Sequence, residues 1–177
     1  MPTFDVDGWI EAIERKDTER FLDHFADDAE VQAENVPIAM RGKDTMRRMF
    51  EKLMPTIRDI NIKTDYVVQN GHELGALVKL KATFDRDYEF AGERLPVAGK
   101  TVEIPAAFFA RLDDDGRITH ASRLRDSYTA LRQLGITGAK LDEIMERVLE
   151  AARATPPEEM DRLIRTGPGG EPRTGGG

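Results

Sequence analysis

The run TVEIPAAFFARL, Thr101 to Leu112, decides how the rest of the chain is read. Val102, Ile104, Ala106, Phe108, Ala110 and Leu112 fall on one of its faces at period two, the pattern of a half-buried strand. Asp113-Asp114-Asp115-Gly116 follows as a turn, and Arg117 to Ser127 reads as a second, more polar strand. On that strand Ile118, His120, Ser122, Leu124 and Asp126 share one face, while Thr119, Ala121, Arg123, Arg125 and Ser127 share the other. Two cations side by side on a strand face either reach water or line a polar pocket.

Upstream, Ile60, Ile62, Thr64, Tyr66 and Val68 alternate with polar residues, Asn70-Gly71 signals a hairpin, and Leu74, Ala76, Val78, Leu80, Ala82 and Phe84 form the next apolar strand face. Asp85 to Ala98 reads as a polar, glycine-bearing connection. Before these strands lie three helices. Asp7 is the expected cap of the first, with Trp9, Ile10 and Ile13 inward, and Thr18 of the second, with Phe21, Leu22 and Phe25 inward. Ala29 to Asn35 reads as a strand ended by Pro37, and Met46, Met49, Phe50, Leu53 and Met54 make one buried stripe on the third helix. After Gly135 come a helix with Leu141, Ile144, Met145, Val148 and Leu149 and a shorter one from Pro156. The expected units are a domain over 1–135, a helical extension over 136–166 and a disordered tail over 167–177. Helices on one face of a curved antiparallel or mixed sheet give an α+β fold, a cone whose open end is a natural ligand pocket.

With 26 basic against 33 acidic residues the net charge is −7, and no basic run offers a nucleic-acid footprint. No membrane span or signal peptide is read, so the expected location is cytoplasmic. There is no cysteine, and His24, His72 and His120 have no metal-ligand spacing, so no metal is expected; no Gly-rich phosphate loop or dinucleotide fingerprint is present either.

At Glu89-Phe90-x-Gly92, Pro96-x-x-Gly99-Lys100, Asp115-Gly116-Arg117-Ile118 and Asp126-x-x-x-x-Leu131-Arg132-Gln133-Leu134-Gly135, the chain resembles the SnoaL-like polyketide cyclases. They belong to the nuclear-transport-factor-2-like superfamily of cone-shaped α+β proteins, and the resemblance spans roughly Trp9 to Gly135. It implies a cofactor-independent cyclase or isomerase using acid/base chemistry on a small, apolar, polyketide-like molecule. It also implies a homodimer paired through the sheet. The alternative is a non-catalytic binding or assembly module of the same fold.

By this resemblance Asp126 takes the family's acidic position; its other reading is a cap for the helix starting near Ser127. Arg123 stands where many relatives carry an acid, and Arg86 where they often carry a histidine. Arg123 and Arg125 are candidates to hold an enolate, carboxylate or phenolate, or are solvated. Asn35-x-Pro37 is similar to the limonene-epoxide-hydrolase-like branch, but the Asp-Arg-Asp set of that reaction is missing. Asn35 is read as a pocket or turn residue, His24 as catalytic or a satisfied histidine, and Tyr66 as core or oxyanion donor. Trp9 and Phe108 are read as core or pocket wall.

Overall fold

The computed structural model describes residues 3–33, 39–90 and 93–154. Its order is α1 (Val6–Glu14), α2 (Thr18–Asp23), β1 (Phe25–Ala33), β2 (Ala39–Arg41), α3 (Lys43–Leu53) and a 3-10 turn (Met54–Thr56). Then come β3 (Ile57–Asn70), β4 (Glu73–Phe84), β5 (Tyr88–Phe90), β6 (Glu93–Leu95), β7 (Thr101–Leu112), β8 (Ile118–Arg125), α4 (Ser127–Gln133) and α5 (Ala139–Ala154). Residues 3–5 precede α1. Asn35, the segment from Pro156 and the 167–177 tail lie outside the described residues.

The helix caps sit one or two residues earlier than the sequence suggests. Asp5 rather than Asp7 opens α1, accepting from the Gly8 amide at 2.9 Å. A Cβ at Gly8 would stand 2.1 Å from that carboxylate, so glycine there makes room for the cap. Asp17 rather than Thr18 opens α2, accepting from the Arg20 amide at 3.1 Å. In both cases the carboxylate satisfies an amide that the first helical turn leaves without a partner.

The curved sheet has six strands in the order β2-β1-β8-β7-β4-β3, antiparallel except for the parallel β1–β8 pair. Against its inner face lie α1, α2 and α3. Met46, Phe50 and Met54 are buried at i, i+4 and i+8, and the Phe50 ring stacks on Phe21 of α2 at 4.4 Å. Burying each such side chain contributes roughly 1.5–3 kcal/mol. Leu134, Ile136 and Leu141 join the same core, so the chain beyond β8 docks onto the cone where α5 begins.

Three features depart from the expectations above, the first two through backbone irregularity. A bulge between Thr64 and Tyr66 shifts the β3–β4 register, and an extra residue reverses side-chain parity. Tyr66 and Val68 therefore face outward, 70% and 67% exposed, whereas Thr64, Val67 and Gln69 pair with the inward Val78, Ala76 and Leu74. The expectation of Tyr66 in the core or pocket is corrected accordingly. A second irregularity at Arg111/Leu112 lets both Ile118 and Ala121 of β8 be buried. Third, the connection from Asp85 to Ala98 contains the β5–β6 ribbon. None of the described helices is long and apolar enough to cross a membrane.

Candidate functional site

Cross-strand register places the ionisable groups. Arg123 is the Cα partner of Phe108, and Arg125 of Ala106. Directly opposed residues share a sheet face. Phe108 and Ala110, the partner of Ala121, are buried against the helices, so the arginine face of β8 is the inner one. Two rows can be followed across the sheet: Thr64, Val78, Ala106, Arg125, and Val67, Ala76, Phe108, Arg123, Ala33. No carboxylate occurs in either row.

Around the arginine end the structure gathers two more hydrogen-bond donors. Trp9 of α1 lies on Phe108 with ring centroids 4.8 Å apart. Its Nε1–H is buried and has no acceptor among the described residues. Tyr88 of β5 packs against the core. Burial pushes its hydroxyl pKa up, while Arg125 and Arg123, near enough to act on it, pull the other way. The net shift is upward, so Tyr88 keeps its proton at neutral pH and can donate. Sequence reading overlooked this residue, because the run Tyr88-Glu89-Phe90 is shorter than the roughly four to eight residues a strand pattern needs.

The other candidates sit elsewhere. Asp126 follows the last residue of β8 as the exposed N-cap of α4, accepting from the Thr129 amide at 2.9 Å. The Thr129 side chain and amide hold its carboxyl below the ordinary aspartate range. This is the capping alternative; such a carboxylate stays ionised at neutral pH. His24 is the C-cap of α2, with Nδ1 donating to the Arg20 carbonyl at 2.8 Å and its ring edge on Phe4 at 5.5 Å. Its own carbonyl accepts from the amide of Ile118 at the start of β8. Arg123 and Arg125 are five and seven residues further on, roughly 16–23 Å along the strand. His24 and the arginines are not brought together.

A groove of ≈ 450 Å³ is bounded by Thr3, Phe4, Asp5, Val6, Asp7, Thr64 and Val67. Thr64 and Val67 are the β3 ends of the two rows that finish on Arg125 and Arg123, three strand spacings or about 14 Å away. The groove and the convergent donors are at opposite ends of these rows. Convergent polar groups beside apolar walls mark a binding site better than an open groove does, which places the candidate site at the arginines. Among the described residues no cluster of histidine and acidic side chains has the arrangement of a metal site.

A family model described as a SnoaL-like domain matches residues 6–121. Several solved structures share the fold. IdmH of Streptomyces antibioticus, described as a candidate polyketide cyclase, is 22% identical over 74% of this chain and 96% of its own, with TM-score 0.60. A candidate SnoaL-like polyketide cyclase from Jannaschia is 12% identical over 75% and 90%, with TM-score 0.64. A protein with a ketosteroid isomerase-like fold from Catenulispora acidiphila is 14% identical over 76% and 96%, with TM-score 0.61. Among proteins of curated function none matches.

Proposed function

The chain belongs to the SnoaL-like domain family, and from that premise we propose that it is a cofactor-independent cyclase or isomerase for a small, apolar, polyketide-like molecule. The observation that carries the reading is the inward placement of Arg123 and Arg125 opposite Phe108 and Ala106. Preorganised cations and a neutral hydroxyl aimed at a carbonyl oxygen stabilise the negative charge that develops when the neighbouring carbon loses a proton. Arg123 and Arg125 take this role, and Tyr88 donates to the same oxygen. In ring closure the enolate carbon forms a bond to a second carbonyl carbon, and a proton returns to the new alkoxide. Water carries that proton, because Asp126 caps α4 and His24 stands at the far end of β8.

The test uses a linear poly-β-ketone thioester as a substrate mimic, with ring closure followed by absorbance and mass. Acceleration by the protein is expected, with a loss of about 10²–10³-fold in kcat for Arg123→Gln, the scale for removing an oxyanion donor. No acceleration of any such mimic overturns the catalytic reading.

A second reading, ligand binding without turnover, is favoured by the lack of a carboxylate in the rows of Arg123 and Arg125. In either case we place a second copy of the chain on the outer sheet face. There Tyr66, Leu77, Ala107 and Leu124 form one cross-strand row, and Val68, Gly75, Phe109 and Ser122 the next. Phe109 and Leu124 are about half exposed, at 52% and 51%. The Phe109 ring lies 3.5 Å from where a Cβ on Gly75 would be, which keeps the face flat. An apolar patch on a sheet suits a two-fold contact in which each copy covers the other.

A further inference from the structure

Resting on the site reading above, we propose that the ligand enters the cone through the groove beside α1, and that Phe4 is the gate across this entrance. The groove is where the inner face of the sheet lies open. Val67 belongs to the inner row that continues through Ala76 and Phe108 to Arg123. Ala76 and Phe108 are buried, yet Val67 is 43% exposed and bounds the groove. The row is therefore covered from Ala76 onward, and its β3 end is left to solvent.

Phe4 stands between that opening and the interior. It bounds the groove, yet it is only 5% exposed. Its ring meets Trp9 edge-on, with centroids 6.1 Å apart, and Trp9 in turn lies on Phe108 at 4.8 Å. The His24 ring is its other aromatic contact, at 5.5 Å. Groove, Phe4, Trp9, Phe108 and Arg123 thus lead in order from solvent to the candidate site. The Trp9 indole N–H, buried without an acceptor among the described residues, gives an entering oxygen a donor on the way.

The way Phe4 is held suits a gate. Residues 3–5 belong to no helix or strand. The Phe4 amide donates to the side-chain oxygen of Gln69 at 3.2 Å, and Gln69 Nε2 donates to the Gly71 carbonyl at 3.0 Å. The start of α1 is fixed independently of that bond. Asp5 accepts from the Gly8 amide at 2.9 Å, and the Phe4 carbonyl accepts from the Val6 amide at 3.1 Å. Rotation about the Phe4 Cα–C bond carries the ring and the amide away and leaves that carbonyl and the cap in place. Opening gives up one hydrogen bond and exposes one aromatic side chain, so the open form is a minor one, about 0.1–10% of molecules. A ligand that fills the vacated space selects that form.

Trp9 is the chain's single tryptophan, so quenching of its emission by acrylamide reports how often the entrance opens. Gln69→Leu removes the acceptor that holds the gate without creating a cavity. It is expected to raise quenching about fivefold, the scale for one net hydrogen bond, and to tighten binding of 2-acetylnaphthalene, an apolar planar ketone, by the same factor in calorimetry. Phe4→Ala removes the gate outright and is expected to do more, with urea titration confirming that it folds. Asn61→Leu is the control: it deletes a different β3–α1 hydrogen bond, that from Asn61 to Glu14, and is expected to change neither readout. The entrance is overturned if Gln69→Leu shifts neither quenching nor binding, if Asn61→Leu shifts them as much, or if the ketone does not bind. Ring closure of the poly-β-ketone thioester separates this from the site reading. Loss of turnover in Arg123→Gln without any effect of Gln69→Leu sinks the entrance alone; an effect of Gln69→Leu without one of Arg123→Gln sinks the site reading alone.

Discussion

Arg123 and Phe108 are opposed in the β7–β8 ladder, so a permanent cation and a buried aromatic ring share one patch of the inner face. Replacing Arg123 by Met keeps the length of the side chain and removes the charge and its donors. Arg123→Met is expected to retain a cooperative melt while lowering kcat by about 10²–10³-fold, the scale for removing an oxyanion donor. Calorimetric melting alongside the ring-closure assay checks both halves. Phe108→Ala, by contrast, is expected to cost about 3–5 kcal/mol in urea unfolding, because it opens a cavity beneath Trp9.

Asp126 offers a clean separation of capping from catalysis. Asparagine caps a helix about as well as aspartate but cannot exchange a proton. Asp126→Asn is expected to leave kcat within about tenfold, against the 10²–10⁴-fold loss that follows removal of a general acid or base. Its folded-state pKa is lowered, so the cap contributes stability above the unfolded pKa and loses it as pH falls through the folded one. Stability of the parent protein relative to Asp126→Asn should therefore fall below about pH 4, the ordinary aspartate range. Parallel melts from pH 7 to pH 2 measure this; a kcat loss beyond 10²-fold would restore Asp126 as the proton carrier.

The outer face makes its own prediction. Phe109→Glu puts a charge in the middle of the proposed two-fold contact without touching the core, since the ring is half exposed. Light scattering should give a mass near twice the 19.9 kDa chain for the parent and near one chain for Phe109→Glu. A parent mass of one chain at micromolar concentration removes the dimer.

The closing motif from Leu131 to Gly135 acts as a clasp. The β7–β8 ladder ends at Ala106–Arg125, and beyond it Gln133 substitutes for a strand. Its Oε1 accepts from the Glu103 amide at 2.7 Å, and its Nε2 donates to the Glu103 carbonyl at 3.0 Å. Lys100 Nζ donates to the Leu134 carbonyl. Gly135 has φ +77°, and a Cβ there would come within 3.4 Å of that same ammonium. Gly135→Ala is expected to cost about 1–2 kcal/mol through the left-handed backbone, and Gln133→Ala about 1 kcal/mol through two solvent-facing hydrogen bonds. Urea titrations of the two variants test these values.

Much of the architecture was legible because its signals are local. The apolar alternation of Thr101–Leu112 and of Leu74–Ala82 became the inner faces of β7 and β4. The stripe Met46, Phe50, Met54 became the buried side of α3 and the turn that follows it. Tyr66 was misread because period-two counting assumes an unbroken strand, and one extra residue before it inverts everything downstream. Tyr88 was passed over because a three-residue strand is too short for periodicity to register.

By itself the chain determined which residues alternate, where helices start to within two positions, and that Arg123 and Arg125 share a face. Only the folded sheet decided that this face points inward, that Trp9 and Tyr88 join it, and that His24 stays a strand's length away. Periodicity belongs to neighbouring residues, whereas the side of a sheet that becomes its inside depends on register between strands far apart in sequence. No local pattern carries that information.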